Sequence, residues 1–154
     1  MSDKSVIKIR KAKKKDSKKI LKLIKELAIF EKLEFPDKNA AKRLIKDAFS
    51  KDPLFRLLTI EYENKIAGYV IYYYTYSSFL AKRSLYLEDI FVSEDFRGKG
   101  IGKAVFKKLM KIAKKNDCGR IEWIVLDWNQ NAISFYDKLG AQHLHDWKTY
   151  RISL

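Results

Sequence analysis

The sequence predicts a single domain of the α/β or α+β class, built around one mixed sheet. Segments with the apolar patterns of strands alternate along the chain with segments whose apolar residues recur at the helical period. A length of 154 residues suffices for one hydrophobic core and is short for two. A composition that is 47% hydrophobic and 14% aromatic excludes a disordered chain. We therefore expect one folded domain over residues 1–154.

The N-terminal half predicts a strand, two helices and a β-hairpin. Asp16 precedes a run of apolar residues at helical spacing and is the expected N-cap of that helix. β-Branched and aromatic residues on both sides of Glu63-Asn64-Lys65 indicate a hairpin that turns at these residues. The predicted elements are a strand that begins at Val6, helices over 17–33 and around 44–49, and strands over 55–62 and 66–76.

The C-terminal half continues the alternation of strands and helices. Val105, Leu109 and Ile112 form one apolar stripe of a helix that follows several glycines. Gly140 is expected in the left-handed conformation just after the last helix. The predicted elements are strands over 84–92 and 121–126, and helices over 98–116 and 132–139.

The chain is strongly basic. Its formal net charge is +14, and many of the lysines lie in two clusters, at 11–25 and 103–115. Within each cluster lysines alternate with apolar residues at helical spacing, which favours solvated faces of amphipathic helices over a nucleic-acid-binding surface. Some of this charge could also assist an anionic cofactor. We expect no nucleic-acid partner.

Membrane, disulfide-rich and metal-binding classes do not fit the sequence. No apolar run reaches the about 18–20 residues of a membrane span, and no signal-type apolar core follows the basic N-terminus. Cys118 is the sole cysteine, so no intramolecular disulfide can form. His143 and His145 would share one face of a strand, but further metal ligands are not evident, and we expect polar surface residues. The sequence thus predicts a cytoplasmic protein without membrane partner or metal.

The sharpest motif is a glycine-rich loop between a strand and a helix, Arg97-Gly98-Lys99-Gly100-Ile101-Gly102. Glycines let backbone amides approach an anion, and a helix N-terminus carries partial positive charge, so a diphosphate would fit. A Walker loop would need Gly at Arg97 and Ser or Thr at Ala104, and a dinucleotide motif would need Gly at Lys103. Both alternatives fail. The alternative interpretation, without a binding function, is that the glycines merely form the turn that starts a helix.

The loop resembles the acetyl-CoA loop of the GNAT superfamily of N-acetyltransferases. Four further segments are similar to the diamine acetyltransferase family, which includes the spermidine/spermine and thialysine acetyltransferases; they lie at 23–28, 72–76, 86–92 and 126–130. The resemblance implies a GNAT-like fold with a mostly antiparallel, twisted sheet flanked by helices. It also implies acetyl-CoA as the cosubstrate, a homodimer, and direct acetyl transfer to an amine within a ternary complex.

The resemblance assigns acetyl-CoA contacts to three stretches and one tyrosine. The loop would hold the diphosphate, a splayed strand edge would pair with the pantetheine arm, and Asn129 would bond that arm. Strand residues this apolar are also typical of a core, and Asn129 could instead cap a helix. The matching residues are Ile90, Phe91, Val92, Arg97, Gly98, Lys99, Gly100, Ile101, Gly102, Lys103, Asn129, Gln130, Asn131, Ala132 and Tyr136.

Acetylation of an amine needs a base, because a primary ammonium with a pKa of about 10 is almost wholly protonated at neutral pH. Glu88 matches the family's base, acting through water, and burial in its apolar strand would make this carboxylate a stronger base. Tyr136 matches the proton donor to the CoA thiolate. Phe30, Glu31, Glu88 and Asp89 match the acceptor-binding positions. The alternatives are solvated or ion-paired carboxylates and a tyrosine that only packs.

The expected acceptor is a small cationic amine. Ser77-Ser78-Phe79 stands where polyamine-specific members carry an acidic residue, which favours the thialysine branch with its lysine-like acceptors. Asp146 and Trp147 loosely match residues that a partner subunit lends to the acceptor pocket. An aromatic run could add a cation–π wall, although about half of an alternating strand must face the core; it comprises Tyr72, Tyr73, Tyr74 and Tyr76.

Two other functions stay open at this point. The same cofactor site could serve a protein lysine or N-terminus, in which case an open groove would replace a closed acidic pocket. The basic composition could instead belong to a nucleic-acid-binding module, which would show steep salt dependence and no affinity for acetyl-CoA.

Overall fold

A computed structural model describes residues 6–154, within which the chain forms five strands and four α-helices. The chain divides into two compact units, one that ends at Ile124 and one from Val125 to Leu154. The first unit contains β1 (Ile7–Lys11), α1 (Ser17–Glu31), α2 (Lys38–Ala48), β2 (Arg56–Tyr62), β3 (Lys65–Ser77), β4 (Lys82–Val92), α3 (Ile101–Lys115) and β5 (Arg120–Glu122). The second unit contains α4 (Gln130–Lys138). Short 3-10 helices lie at Lys14–Asp16 and Glu94–Phe96.

The five strands form one sheet in the order β1-β2-β3-β4-β5. All neighbours are antiparallel except β4 and β5, which are parallel. The predicted hairpin is confirmed between β2 and β3, where Glu63 and Asn64 have φ values of 48° and 65°. Both central turn residues are therefore left-handed, which matches the right-handed twist of the flanking strands. The mixed, mostly antiparallel sheet predicted from the sequence is confirmed.

The main core lies between α1 and one face of the sheet. Ile20, Leu23 and Ile24 of α1 pack with buried side chains of β2, β3 and β4, among them Tyr69 and Phe91. Alternate residues of a strand point to opposite faces, so the other buried set of these strands faces away from α1. There α3 contacts β4 and β1 and contributes its own buried stripe. Most lysines of α1 and α3 are exposed, as expected for solvated helix faces.

Asp16 occupies the predicted N-cap position of α1, but its side chain does not cap the helix. Its Oδ2 accepts hydrogen bonds from Arg10 Nη1 and from the Lys13 backbone N, both at 2.7 Å. Arg10 Nη2 also lies 2.6 Å from Glu61 Oε1 on β2. A partly buried ion-pair network, formed by the tertiary structure, therefore replaces the expected cap and ties β1 and β2 to the start of α1.

Three element boundaries differ most from those predicted. The helix expected around 44–49 begins earlier, at Lys38. The strand expected over 121–126 is wrong in length, because β5 ends at Glu122 and Ile124 is 64% exposed. A bulge in β4 just beyond the paired residues bends that strand and interrupts the ladder. The helix expected from Gly98 begins at Ile101. None of the helices in the described part of the chain is long and apolar enough to cross a membrane.

Candidate active site

The centre of β4 contains a β-bulge. In the ladder with β3, Ile71 is opposite Asp89 and Tyr72 is opposite Leu87, which leaves Glu88 as the extra residue. Bulges re-aim side chains and are frequent beside active sites. In a regular strand, Glu88 and Asp89 would point to opposite faces, and one of the two carboxylates would face the core around α3.

The bulge brings both carboxylates to the face of the sheet that α1 covers. Tyr69 donates its hydroxyl to Asp89 Oδ2 at 3.0 Å, and Tyr73 donates to Glu88 Oε2 at 3.0 Å. Tyr69 and Tyr73 are four residues apart on β3, so their side chains share one face. The two acids therefore lie side by side, each held by a phenol from the neighbouring strand.

A third acid joins them from the end of α1. Burial raises the pKa of the Glu31 carboxyl. Burial also raises the pKa of Asp89 to about 6, and the charges of Glu88 and Glu31 push it in the same direction, while the Tyr69 hydrogen bond lowers it. Glu31, Glu88 and Asp89 therefore interact electrostatically, and we call them the acidic cluster. Such a site attracts a cation.

The predicted burial of Glu88 is wrong. Glu88 is exposed, whereas its neighbour Asp89 is partly buried and has the raised pKa. The bulge explains why Glu88 is exposed and Asp89 is the more buried acid, because the extra residue of a bulge leaves the regular pleat. Glu88 is therefore accessible to water and to a ligand on the α1 side of the sheet.

The aromatic run of β3 divides between core and surface, as predicted for an alternating strand. Tyr72 is buried, and Tyr76 is 69% exposed. Tyr74 stacks edge-on against Tyr72 and lies under the guanidinium of Arg83, 5.4 Å from its ring centre. Of these four tyrosines, Tyr73 is the one that bonds to the acidic cluster.

Arg97 connects the glycine-rich loop to β4 and to α1. Its Nε donates to the Val92 carbonyl at 3.0 Å. Its guanidinium lies over the rings of Phe30 and Phe91, at 5.5 and 5.6 Å from their centres. Phe30 precedes Glu31 in α1, so this contact holds the helix end that carries the third acid beside the loop.

The loop itself has the geometry of an anion site. Gly98 and Gly100 have φ values of 72° and 77°. This left-handed backbone is strained for a residue with a side chain, although a Cβ would meet no atom within 4 Å at either position. The first N–H groups of α3 have no partner within the helix and carry partial positive charge. Lys99 and Lys103 add cationic side chains. These residues fit a diphosphate.

The edge of β4 that precedes the loop is splayed from its neighbour. Within the described residues, the ladder between β4 and β5 ends at Tyr86, whereas β4 continues to Val92. Ile90 and Val92 are half-buried on this stretch, and Phe91 belongs to the core beneath α1. The core interpretation of Phe91 is thus confirmed, and in the described part of the chain the same stretch has no ladder partner on the β5 side.

The remaining predicted residues belong to the second unit. Asn129 caps α4, since its Oδ1 accepts a hydrogen bond from the Ala132 N at 3.3 Å. Gln130, Asn131 and Ala132 form the first turn of α4. Tyr136 lies near the end of the helix, with its ring 5.7 Å from that of Phe135.

Two further predictions of the second unit have opposite outcomes. Gly140 has a φ of 82° and confirms the left-handed position after α4. His143 and His145 do not lie on a strand, contrary to the prediction, and their ring centres are 4.0 Å apart. Among the described residues, no three His, Cys, Asp or Glu side chains are grouped so that they could hold a metal ion.

Comparison with known proteins identifies the family. The profile of the Acetyltransferase (GNAT) family matches residues 20–141. The chain belongs to this family. Thialysine N-epsilon-acetyltransferase of Bos taurus is 38% identical over 93% of this chain and 90% of the bovine protein. Human spermidine/spermine N(1)-acetyltransferase-like protein 1 is 36% identical over 94% of this chain and 22% of the human protein.

A solved structure confirms the GNAT fold. The crystal structure of a possible acetyltransferase from Clostridium difficile 630 superposes with a TM-score of 0.83, at 21% identity, over 97% of this chain and 99% of the other. With its GNAT sequence and these relatives, the protein is an N-acetyltransferase. The resemblance seen in the sequence is therefore confirmed.

Sequence reasoning about this GNAT enzyme missed Tyr69 and the bulge. One signal was present: two consecutive acids, Glu88 and Asp89, interrupt an apolar strand. A regular strand would turn one of them into the core, and an extra residue avoids that cost. The hydroxyl of Tyr69 has no comparable signal, because a tyrosine in a strand is ordinary core material.

Proposed function

We propose that this acetyltransferase moves an acetyl group from acetyl-CoA to the primary amine of a small cationic metabolite. A thialysine-like or lysine-like amine is the leading acceptor, with diamines and polyamines as alternatives. The acidic cluster is the observation that carries the proposal. A chain of net charge +14 repels cations at long range, so three acids whose charges act on one another provide the local attraction that a cationic acceptor needs.

The names of the relatives support the same class of acceptor. One is a thialysine acetyltransferase and another is similar to spermidine/spermine acetyltransferases, and both names describe amines that are cationic at neutral pH. Lysine-like amines have priority, because the thialysine relative matches along nearly its whole length and this chain has Ser77-Ser78-Phe79 after β3.

The glycine-rich loop and the splayed edge are the proposed cofactor site. Residues 97–103 would hold the diphosphate, 90–92 would offer backbone groups to the arm, and 129–132 would contribute from α4. The left-handed glycines and the start of α3 support this assignment. When bound, acetyl-CoA supplies the activated acetyl group.

The acids and Tyr136 have distinct proposed roles. Glu31 and Asp89 hold the ammonium, with Phe30 beside them. Glu88, exposed and held by Tyr73, takes the proton of the amine through water, after which the neutral nitrogen can attack. The Tyr136 hydroxyl donates a proton to the departing thiolate, and the second proton that the nitrogen loses as the amide forms passes through solvent and restores the phenol. Transfer is direct, within a ternary complex.

Three further statements remain predictions. One is that residues 1–154 form a single acetyltransferase domain; the family profile, which runs through both compact units, supports this. The others are a homodimer and a cytoplasmic location.

Release of CoA from saturating acetyl-CoA, measured with thialysine, lysine, spermidine, diamines and peptides, tests the acceptor. We expect the highest kcat/KM with lysine-like small amines. Glu88→Gln should lower turnover roughly 10²-fold or move the pH–rate profile, and Tyr136→Phe should slow turnover with little change in acetyl-CoA affinity. Glu63→Gln, at the hairpin turn, is the matched control and should match the unmodified enzyme.

Three other outcomes would each contradict a part of this proposal. Turnover confined to peptides would make the acceptor a protein. Nucleic-acid binding with steep salt dependence and no thermal shift in saturating acetyl-CoA would overturn the cofactor assignment. Unchanged kinetics in both variants would remove Glu88 and Tyr136 from the mechanism and leave the cofactor site standing.

A further inference from the structure

The Asp89 carboxylate accepts a hydrogen bond from a tyrosine whose ring is buried in the core. Tyr69 is fully buried, and its ring packs among side chains of α1 and against Phe91, 6.5 Å between ring centres. Its hydroxyl lies at the border of that core and donates to Asp89 Oδ2 at 3.0 Å. Because the ring is held by packing, the hydroxyl is fixed in space and so is the carboxylate that accepts from it.

We propose that Tyr69 is the positioning residue of the acceptor site: its hydroxyl holds the Asp89 carboxylate in its charged form and thereby sets the pH above which the cationic amine binds. This inference rests on the proposed function, in which Asp89 is a counter-ion of the amine. Tyr69 contacts neither substrate nor cofactor in this proposal and acts only through Asp89.

The groups that face Asp89 have opposite effects on its charged form. Glu88 of its own strand and Glu31 of α1 disfavour its charge, as burial does. Tyr73 from β3 is bonded to Glu88. Of these groups, Tyr69 is the one that favours the charged carboxylate. Burial and the Asp89 charge raise the pKa of Tyr69 itself, so its hydroxyl remains a donor throughout the working range of pH.

Loss of the Tyr69 hydroxyl makes Asp89 easier to protonate. A donor to the charged form lowers the pKa of an acid, so removal of the Tyr69 hydroxyl must raise the pKa of Asp89 above its value of about 6. The protonated acid is no longer a counter-ion. The acidic limb of kcat/KM for the amine then moves to higher pH, and the change lies in KM, because Asp89 holds the amine and does not move its proton.

The test is Tyr69→Phe, which keeps the packed ring and removes only the hydroxyl. We expect the acidic limb of kcat/KM to move up by about one pH unit, a loss of roughly fivefold at pH 6 and of less than twofold at pH 8, with kcat nearly constant. The carboxyl ¹³C signal of Asp89, followed by NMR without substrate, should titrate higher by the same amount. An unmoved limb and an unmoved titration would overturn the proposal.

Two variants make the result specific. Thr59→Val also removes a buried hydroxyl that donates to a buried acid, Asp16 Oδ2 at 3.3 Å, and should leave the acidic limb in place. Asp89→Asn should remove the part of the acidic limb that Asp89 contributes and leave the part that the proposed base Glu88 contributes, and Tyr69→Phe added to it should change nothing further. An acidic limb that is unchanged in Asp89→Asn contradicts the proposal even if Tyr69→Phe does not fold. If the unmodified enzyme transfers acetyl to no amine, the proposed function is overturned. If the enzyme is active and the acidic limb of Tyr69→Phe does not move, only the role of Tyr69 is overturned.

Discussion

At the scale of single residues, Glu88 and Asp89 show how neighbours in sequence acquire different properties. Both are carboxylates bonded to a tyrosine of β3 at 3.0 Å. Glu88 is exposed, and Asp89 is partly buried and subject to the charges of two other acids. The exposed acid suits exchange of a proton with water, and the buried one suits a cation that replaces its lost hydration.

The burial of Asp89 costs stability at neutral pH. Its pKa is raised from 3.8 to about 6, so the folded protein binds a proton more readily than the unfolded chain between these values. Stability therefore falls as pH rises through this window and is constant above it. Asp89→Asn should raise Tm by roughly 2–6 °C at pH 7.5 and by little at pH 4. Calorimetry at both pH values checks this, and an equal shift at both would contradict it.

At the scale of elements, the turns were predictable, whereas some element boundaries and the side-chain partners were not. The hairpin at Glu63 and Asn64 and the left-handed Gly140 were evident, because local backbone preference determines both. Asp16 had the local pattern of a helix cap, yet Arg10, six residues before it, holds its carboxylate. The hydrogen bond from Arg10 also holds the pKa of Asp16 below its usual value. The carboxylate is therefore kept charged without a hydrogen bond to the helix N-terminus.

The glycine-rich loop gives a prediction at the scale of an element. Gly98→Ala and Gly100→Ala each force a side chain into a left-handed backbone and should destabilise the fold by about 1 kcal/mol. Each should also weaken acetyl-CoA binding about tenfold or more, because the amides that face the anion move. Gly140→Ala is the matched control, with a φ of 82° and equally open surroundings.

Calorimetric titration with acetyl-CoA and thermal melts measure both quantities. The control should lose similar stability and keep its affinity for acetyl-CoA. An affinity that falls equally in all three variants would show that general destabilisation, and not the loop, accounts for the loss.

At the scale of the whole molecule, exposed apolar side chains in the second unit support the predicted homodimer. Trp147, Tyr150 and Ile152 are 78%, 88% and 89% exposed. Apolar surface concentrated in one short segment is typical of an interaction site. Sedimentation equilibrium should give twice the chain mass of 18.2 kDa, and Ile152→Glu should shift the distribution towards the single chain. A single-chain mass at micromolar concentration would contradict the homodimer.

The sequence by itself determined the alternation of elements, the hairpin, the glycine-rich loop and the family, because each depends on residues close together in the chain or on motifs in fixed order. Only the tertiary structure decided that Glu88 is exposed, that Tyr69 reaches Asp89 and that Arg10 binds Asp16. A bulge is a mismatch between two strands, and a buried hydrogen bond joins residues distant in sequence. The local pattern of one segment can indicate a bulge, as Glu88 and Asp89 do, but it determines neither feature.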